Sequence, residues 1–177
     1  MALNDPHYEI LKEFQSESKN LIQQLIEILE ACEGDFSQAK RLENYGQTVD
    51  RIMGGAKSLA IEIQRPEGYV AKIGDYSALC KAVGYKASQI KDNEQFFEVC
   101  VALLFDATEM LLEMVDNLFE IQPNFKELFS STFLDRLKWV SSKFGEEYRS
   151  SVDIKKPESN KLNQDEIDKL LKKLGLD

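Results

Sequence analysis

From Tyr8 to Leu29 apolar side chains return every three or four residues, at Tyr8, Ile10, Leu11, Phe14, Leu21, Ile22, Leu25, Ile26, Ile28 and Leu29. A period near 3.6 puts them on one side of a helix, whereas a half-buried strand needs strict alternation. The same spacing recurs through most of the 177 residues, and no stretch alternates with period two for long enough to make a convincing strand. The expected fold is all-α, an up-and-down bundle of four to five helices.

Punctuating residues divide this pattern. Asn4 or Asp5 can cap a first helix with Pro6 in its first turn, and "CEGD" ends it. A second helix opens after Asp35, carries Leu42, Tyr45, Val49, Ile52, Met53, Ala56 and Leu59 inward, and closes at "QRPEG". So short a turn between the two makes them antiparallel neighbours. A third helix is read from Tyr69 to Ile90, weakened by Gly74 and Gly84. A fourth, from Asn93 to Phe119, is strongly apolar and is expected to be the most buried. A fifth, from Phe125 to Tyr148, carries Leu128, Phe129, Phe133, Leu134, Leu137, Trp139, Val140 and Phe144. Residues 1–148 thus form the bundle. Residues 149–161, "RSSVDIKKPESNK", hold too little apolar surface to offset ordering and read as a flexible linker to a C-terminal helix in 162–177.

Composition narrows the function. A net charge of -9 disfavours a sequence-independent grip on phosphate backbones, so no nucleic-acid partner is expected. The N-terminus lacks the basic and apolar regions of a secretory signal, and the longest apolar run, "VCVALLF", is far short of a membrane span. A cytoplasmic protein without a membrane partner is expected. Cys32, Cys80 and Cys100 lie far apart without C-x-x-C spacing and read as buried thiols. The only histidine is His7, which leaves no Ser-His or Cys-His relay for the bundle. No intrinsic cofactor is expected.

Within the second helix Gly46, Gly54 and Gly55 each lower helix stability by about 1 kcal/mol relative to alanine. Either close helix packing or a flat, open docking face would account for them. Glu43, Gln47 and Asp50, spaced i, i+4, i+7, share one stripe opposite the apolar one, where solvent is expected. In the tail, Asn163 and Glu166 make a capping-box-like pair, with Asp165 and Asp168 near the positive helix end. Ile167, Leu170, Leu171 and Leu174 follow at i, i+3, i+4, i+7, and Gly175 can end the helix. Isolated helices below roughly 12 to 15 residues rarely hold in water. The stripe must pack on its own bundle or in a partner's groove.

The stretch "DRIMGGA", Asp50 to Ala56, resembles the His-x-x-Lys-Gly-Ser-Ala-like motif on the second helix of the histidine-phosphotransfer domain of CheA-type chemotaxis kinases. The resemblance covers roughly residues 8 to 120. Asp50 stands where the histidine would be and Met53 where the lysine would be, while Gly54, Gly55 and Ala56 keep the small-residue run. It implies a phosphotransfer-like bundle and a docking face for a response regulator, without the phosphoryl-carrying imidazole. The "NQDEIDKLL" portion of the tail is similar to the N-terminal segment of the flagellar switch protein FliM. The "IDKLLKKLGLD" portion is similar to the end of the CheY phosphatase CheZ.

CheZ-type families also carry an Asp-x-x-x-Gln motif on a core helix, and "ENYGQ" supplies Glu43-x-x-x-Gln47. The resemblance implies a phosphorylated CheY-like partner held by Asp165, Ile167, Asp168, Leu170, Leu171 and Leu174. Gln47 would position a water and Glu43 would meet the receiver's lysine, with Asp50 a competing acid. Mg2+ would sit on the partner. The alternative is a non-catalytic CheY-binding adaptor or phosphate sink with a degenerate phosphotransfer fold. The apolar richness of the fourth and fifth helices also suits a homodimer.

Overall fold

A computed structural model describes residues 6–120, 125–145 and 164–176, with side chains for all of these except 125, 126, 145 and 164–166. The elements are α1 (Tyr8–Cys32), a 3-10 turn (Phe36–Gln38), α2 (Arg41–Glu62), α3 (Tyr69–Ala87), α4 (Glu94–Asp116), a second 3-10 turn (Asn117–Phe119), a single turn α5 (Phe125–Leu128), α6 (Ser131–Gly145) and α7 (Gln164–Lys173). No β-strand occurs among the described residues, and the chain is all-α.

Four long helices close a ring, in which α1 packs on α2, α2 on α3, α3 on α4 and α4 on α1. Paired residues show their directions. Glu17 meets Arg51 and Gly55 faces the ring of Phe14 across α1 and α2. Asp50 meets Lys81 and Gly74 faces Ala56 across α2 and α3. Tyr8 meets Phe119, and the Gln15 amide donates to the Val115 carbonyl, across α1 and α4. In each pair one residue number rises as the other falls, so these neighbours are antiparallel.

Outside the ring, α6 lies along α4 and α7 lies on both α3 and α6. Arg136 pairs with Asp106, and Phe144 meets Phe96 edge-on with centroids 5.1 Å apart.

Turn chemistry sets the boundaries. Asp35 accepts from the Ser37 amide and so caps the first 3-10 turn. The Asn93 side chain accepts from the Phe96 amide at 3.0 Å and starts α4. Helix α2 ends with Gln64 at φ 55, where the Arg65 amide donates to the Ala60 carbonyl, a left-handed cap that usually calls for glycine. Helix α1 runs from Tyr8, where the Leu11 amide closes on the His7 carbonyl, and the His7 side chain does not cap it. Asn4 and Asp5 lie outside the described residues, as do the 149–161 linker and Asn163.

Three expectations need correction. The fifth helix is broken: Ser130 accepts from the Phe133 amide at 3.1 Å and caps α6, separating it from α5. The break turns Phe129 inward onto Tyr76 and Phe133. Trp139 is 44% exposed, because the buried apolar positions of α6 are Phe133, Leu137, Val140 and Phe144, at four, three and four. The most enclosed helix is α3, with fifteen of nineteen residues buried against eleven of twenty-three in α4. Helix α7 covers a side of α3 that a four-helix ring would leave wet.

The thiols are in the core. Burial raises Cys32 from 9.0 to about 11 and Cys80 to about 12, and raises Cys100 further. Burial likewise holds the Tyr45 and Tyr76 phenols well above 10.0. Below the unfolded values these groups are protonated in both states and do not affect stability's pH dependence. As pH rises past about 9 the unfolded chain releases its protons first, so native stability falls through the window up to about 12. At pH 8 the native thiols should react with a disulfide reagent at least about 100-fold more slowly than in denaturant, because attack requires opening of the core. Denaturant midpoints measured at pH 8 and pH 10.5 should show the loss at the higher pH.

Candidate functional site

The α2–α3 seam is built from two reciprocal ring-on-glycine contacts. A Cβ added to Gly84 would lie 2.7 Å from a ring carbon of Tyr45, and one added to Gly46 would lie 2.7 Å from a ring carbon of Tyr85. Each helix therefore contributes a tyrosine that rests on the other's glycine. Tyr45 is fully buried and its hydroxyl lies 2.9 Å from Thr108 Oγ1, so it is held at both ends. Tyr85 is only partly buried and forms one edge of the outer surface.

These contacts show what the glycines of α2 do. Gly46 is a close-packing residue, and so is Gly74 on α3, whose added Cβ would meet the Lys57 Cγ at 3.0 Å and the Ala56 Cβ at 3.4 Å. Gly55 faces Phe14 at ordinary contact distance, and Gly54 has nothing within 4 Å and is exposed. The packing and open-face readings thus each account for part of the run.

The stripe Glu43, Gln47 and Asp50 borders α3 instead of standing opposite the core. Only Gln47 is exposed, and its side chain makes no hydrogen bond among the described residues. Glu43 and Asp50 are half-buried. Asp50 Oδ1 lies 2.5 Å from Lys81 Nζ, and the lysine side chain is only 17% exposed. Lys81 Nζ is also 6.0 Å from the centroid of the Tyr85 ring. Partial burial raises the Tyr85 phenol, while Lys81 pulls it down and Asp50 and Glu43 push it up. All three charges therefore act on the phenol.

Lys81 and Tyr85 belong to this cluster, yet they are absent from a reading of α2 alone. One sign was available: Lys81 interrupts the buried run Leu79, Cys80, Ala82, Val83, and a mostly buried ammonium requires a counter-charge. Its partner was not legible, because the pairing depends on the α2–α3 register.

Chemically, the cluster offers one solvent-facing amide with an acid one turn before it and a tyrosine beside it, all on packed helices. Asp50 is held by Lys81 and is poorly placed to pair with a second cation. Glu43 sits a full turn to the N-terminal side of Gln47, at the start of α2. No group of three or more His, Cys, Asp or Glu positioned to hold a metal occurs among the described residues.

The tail residues assemble elsewhere. Ile167, Leu171 and Leu174 are buried against the bundle, joined by Leu176, while Leu170 is half-buried and Asp168 exposed. The side chains of Asp165 and Glu166 lie outside the described residues. The helix ends in a left-handed Gly175 at φ 71, with the Leu176 amide donating to the Leu171 carbonyl at 2.8 Å. This motif folds Leu176 back beside Leu171 and explains its burial. Lys173 Nζ reaches Asp75 Oδ1 on α3 at 3.0 Å.

Among the described residues no helix is long and apolar enough to cross a membrane. No family model matches the chain, and no curated protein or solved structure matches it either.

The seam predicts a graded response to added methyl groups. Gly84→Ala should destabilise by about 2–3 kcal/mol, because Tyr45 cannot retreat. Gly46→Ala should lose about 1 kcal/mol, since the outer Tyr85 ring can swing away. Gly54→Ala should gain about 0.5–1 kcal/mol from helix propensity alone. Equilibrium denaturation of the three variants measures the order, and equal losses at positions 54 and 84 would contradict the seam.

Proposed function

We propose that this protein captures a phosphorylated CheY-like receiver domain through α7 and hydrolyses its aspartyl phosphate with Gln47 and Glu43, on a histidine-phosphotransfer-like bundle that lacks the histidine. The observation that carries the reading is the Gln47 amide, exposed and unengaged on a rigid helix one turn from Glu43. A side chain on a packed helix is placed more reproducibly than one on a loop.

Receiver dephosphorylation needs little covalent machinery from the phosphatase. A water must be held in line with phosphorus, and the charge on the transferring phosphoryl group must be matched. The Gln47 carbonyl can accept from that water while its NH2 contacts neighbouring oxygens. A phosphorus–oxygen bond forms to the water as the bond to the receiver carboxylate breaks. Inorganic phosphate leaves with the water's proton, and the aspartate is regenerated. Glu43 would pair with the receiver's active-site lysine and fix the register of docking. Mg2+ would be carried by the receiver.

Asp50, the acid at the position of the resembled histidine, has a structural task here. It neutralises Lys81 at the seam and so supports the helix that presents Gln47. Open Gly54, one turn further along α2, leaves that side of the helix low enough for another domain to approach.

Phosphate release from a phosphorylated CheY-type receiver tests the reading. Gln47→Ala should lower the accelerated rate by about 100-fold or more with receiver binding intact, and Glu43→Ala by about tenfold. Asp50→Asn should change the rate by less than about threefold while lowering stability. Receiver binding without any acceleration by the wild type would make the protein a binding module, and the absence of binding would end the receiver proposal.

A further inference from the structure

The helix that the proposed function assigns to a partner is already occupied. Ile167, Leu171 and Leu174 form one stripe along α7, and all three are buried on the bundle together with Leu176. What α7 turns outward is polar, with Asp168, Lys169, Lys172 and Lys173 exposed. A receiver groove that takes the apolar stripe and the surface of α3 and α6 cannot both hold it.

The seat is shaped for a helix. Ala71, Asp75, Ala78 and Ala82 recur at four, three and four along α3 and share one face, and all four are buried. Small side chains let the α7 backbone approach. Asp75 is the exception, and its side chain is 9% exposed while Lys173, 65% exposed, reaches over it. This pair ties α7 to α3 by charge. A nearly buried carboxylate with a mostly exposed cation is a contact that can open, because both groups regain water when they separate.

We infer that α7 is an intramolecular latch: it closes on the α3–α6 face through its apolar stripe and the Lys173–Asp75 pair, and must leave that face to engage the receiver. This deepens the receiver-binding reading and rests on it. The closed population lowers the receiver's apparent affinity by the fraction of time α7 is shut. By reciprocity, receiver binding holds α7 off the bundle and exposes the α3–α6 face. The acidic residue that sets this balance is on α3, outside the tail that touches the partner. Latch strength and partner contact can therefore be altered separately.

Two full-length variants test the inference. Asp75→Asn keeps the shape of the side chain and removes its charge, and Lys173→Gln breaks the same pair from an exposed position that places no demand on folding. Amide hydrogen exchange of Leu171 to Leu176 should quicken by about threefold to tenfold in both, with the amides of α4 unchanged, the scale of one partly screened ion pair. Asp75→Asn should bind phosphorylated receiver more tightly by a similar factor. Unchanged exchange of α7 in both variants overturns the latch, and so does faster exchange with unaltered receiver affinity. If exchange quickens but neither wild type nor Asp75→Asn binds receiver, α7 opens as inferred and it is the receiver reading that fails.

Discussion

The contact on which the rest depends is Tyr45 of α2 lying on Gly84 of α3, returned by Tyr85 of α3 on Gly46 of α2. An aromatic ring seated on a missing side chain brings two backbones close and leaves one axial register. A shift of one residue would drive a Cβ into a ring. The register places Asp50 against Lys81 and Ala56 against Gly74, and it leaves Gln47 facing outward beside Tyr85. Tyr45 extends the constraint to a third helix through Thr108, whose hydroxyl also donates to the Leu104 carbonyl at 2.7 Å.

Helix α3 carries two charges that its enclosure makes consequential. Asp75 and Lys81 are almost two turns apart in a helix that is otherwise nearly all buried, and each is met by a different neighbour. Lys81 turns to Asp50 on α2 and Asp75 to Lys173 on α7. A buried charge left unpaired is strongly destabilising, so each charge specifies where its partner element can sit. The first contact lies within the packed ring, behind which the whole core stands. The second joins a ten-residue helix whose outer face is polar, and that helix has far fewer groups to release. Similar chemistry thus serves a seam within the ring in one place and, on the latch inference, a separable contact in the other.

This difference connects packing to the proposed activity. Dephosphorylation of a receiver requires an amide in a fixed place and a partner that comes and goes. The fixed part is on α2, held by rings, glycines and the Asp50–Lys81 pair. The exchangeable part would be α7, whose Ile167 and Leu171 are buried with Leu174 and Leu176 and whose Lys173 meets Asp75. Tethering both to one chain would raise the local concentration of a captured partner near Gln47, so that a weak catalytic contact would suffice.

The sequence by itself determined the helices, because the 3.6-residue period and the Gly, Pro and Asx punctuation act over a few neighbouring residues. The positions of α1, α4 and α7 follow from it, as does the buried stripe of α2 apart from Met53, which is half-buried, although α2 opens only at Arg41, after a 3-10 turn. The Ser130 cap was also local, but its signal was hidden inside a run of apolar residues that read as one helix. What only the tertiary structure decided involves residues far apart in the chain. Gly84 looked like a weakness in α3 until Tyr45 was placed on it, and Lys81 and Tyr85 join the candidate site only through the register. Helix α3, not α4, became the most enclosed because α7 returns to cover it. The sequence showed that the tail's stripe needed a surface; which surface is a competition between two docking free energies, and periodicity along one helix carries no information about that balance.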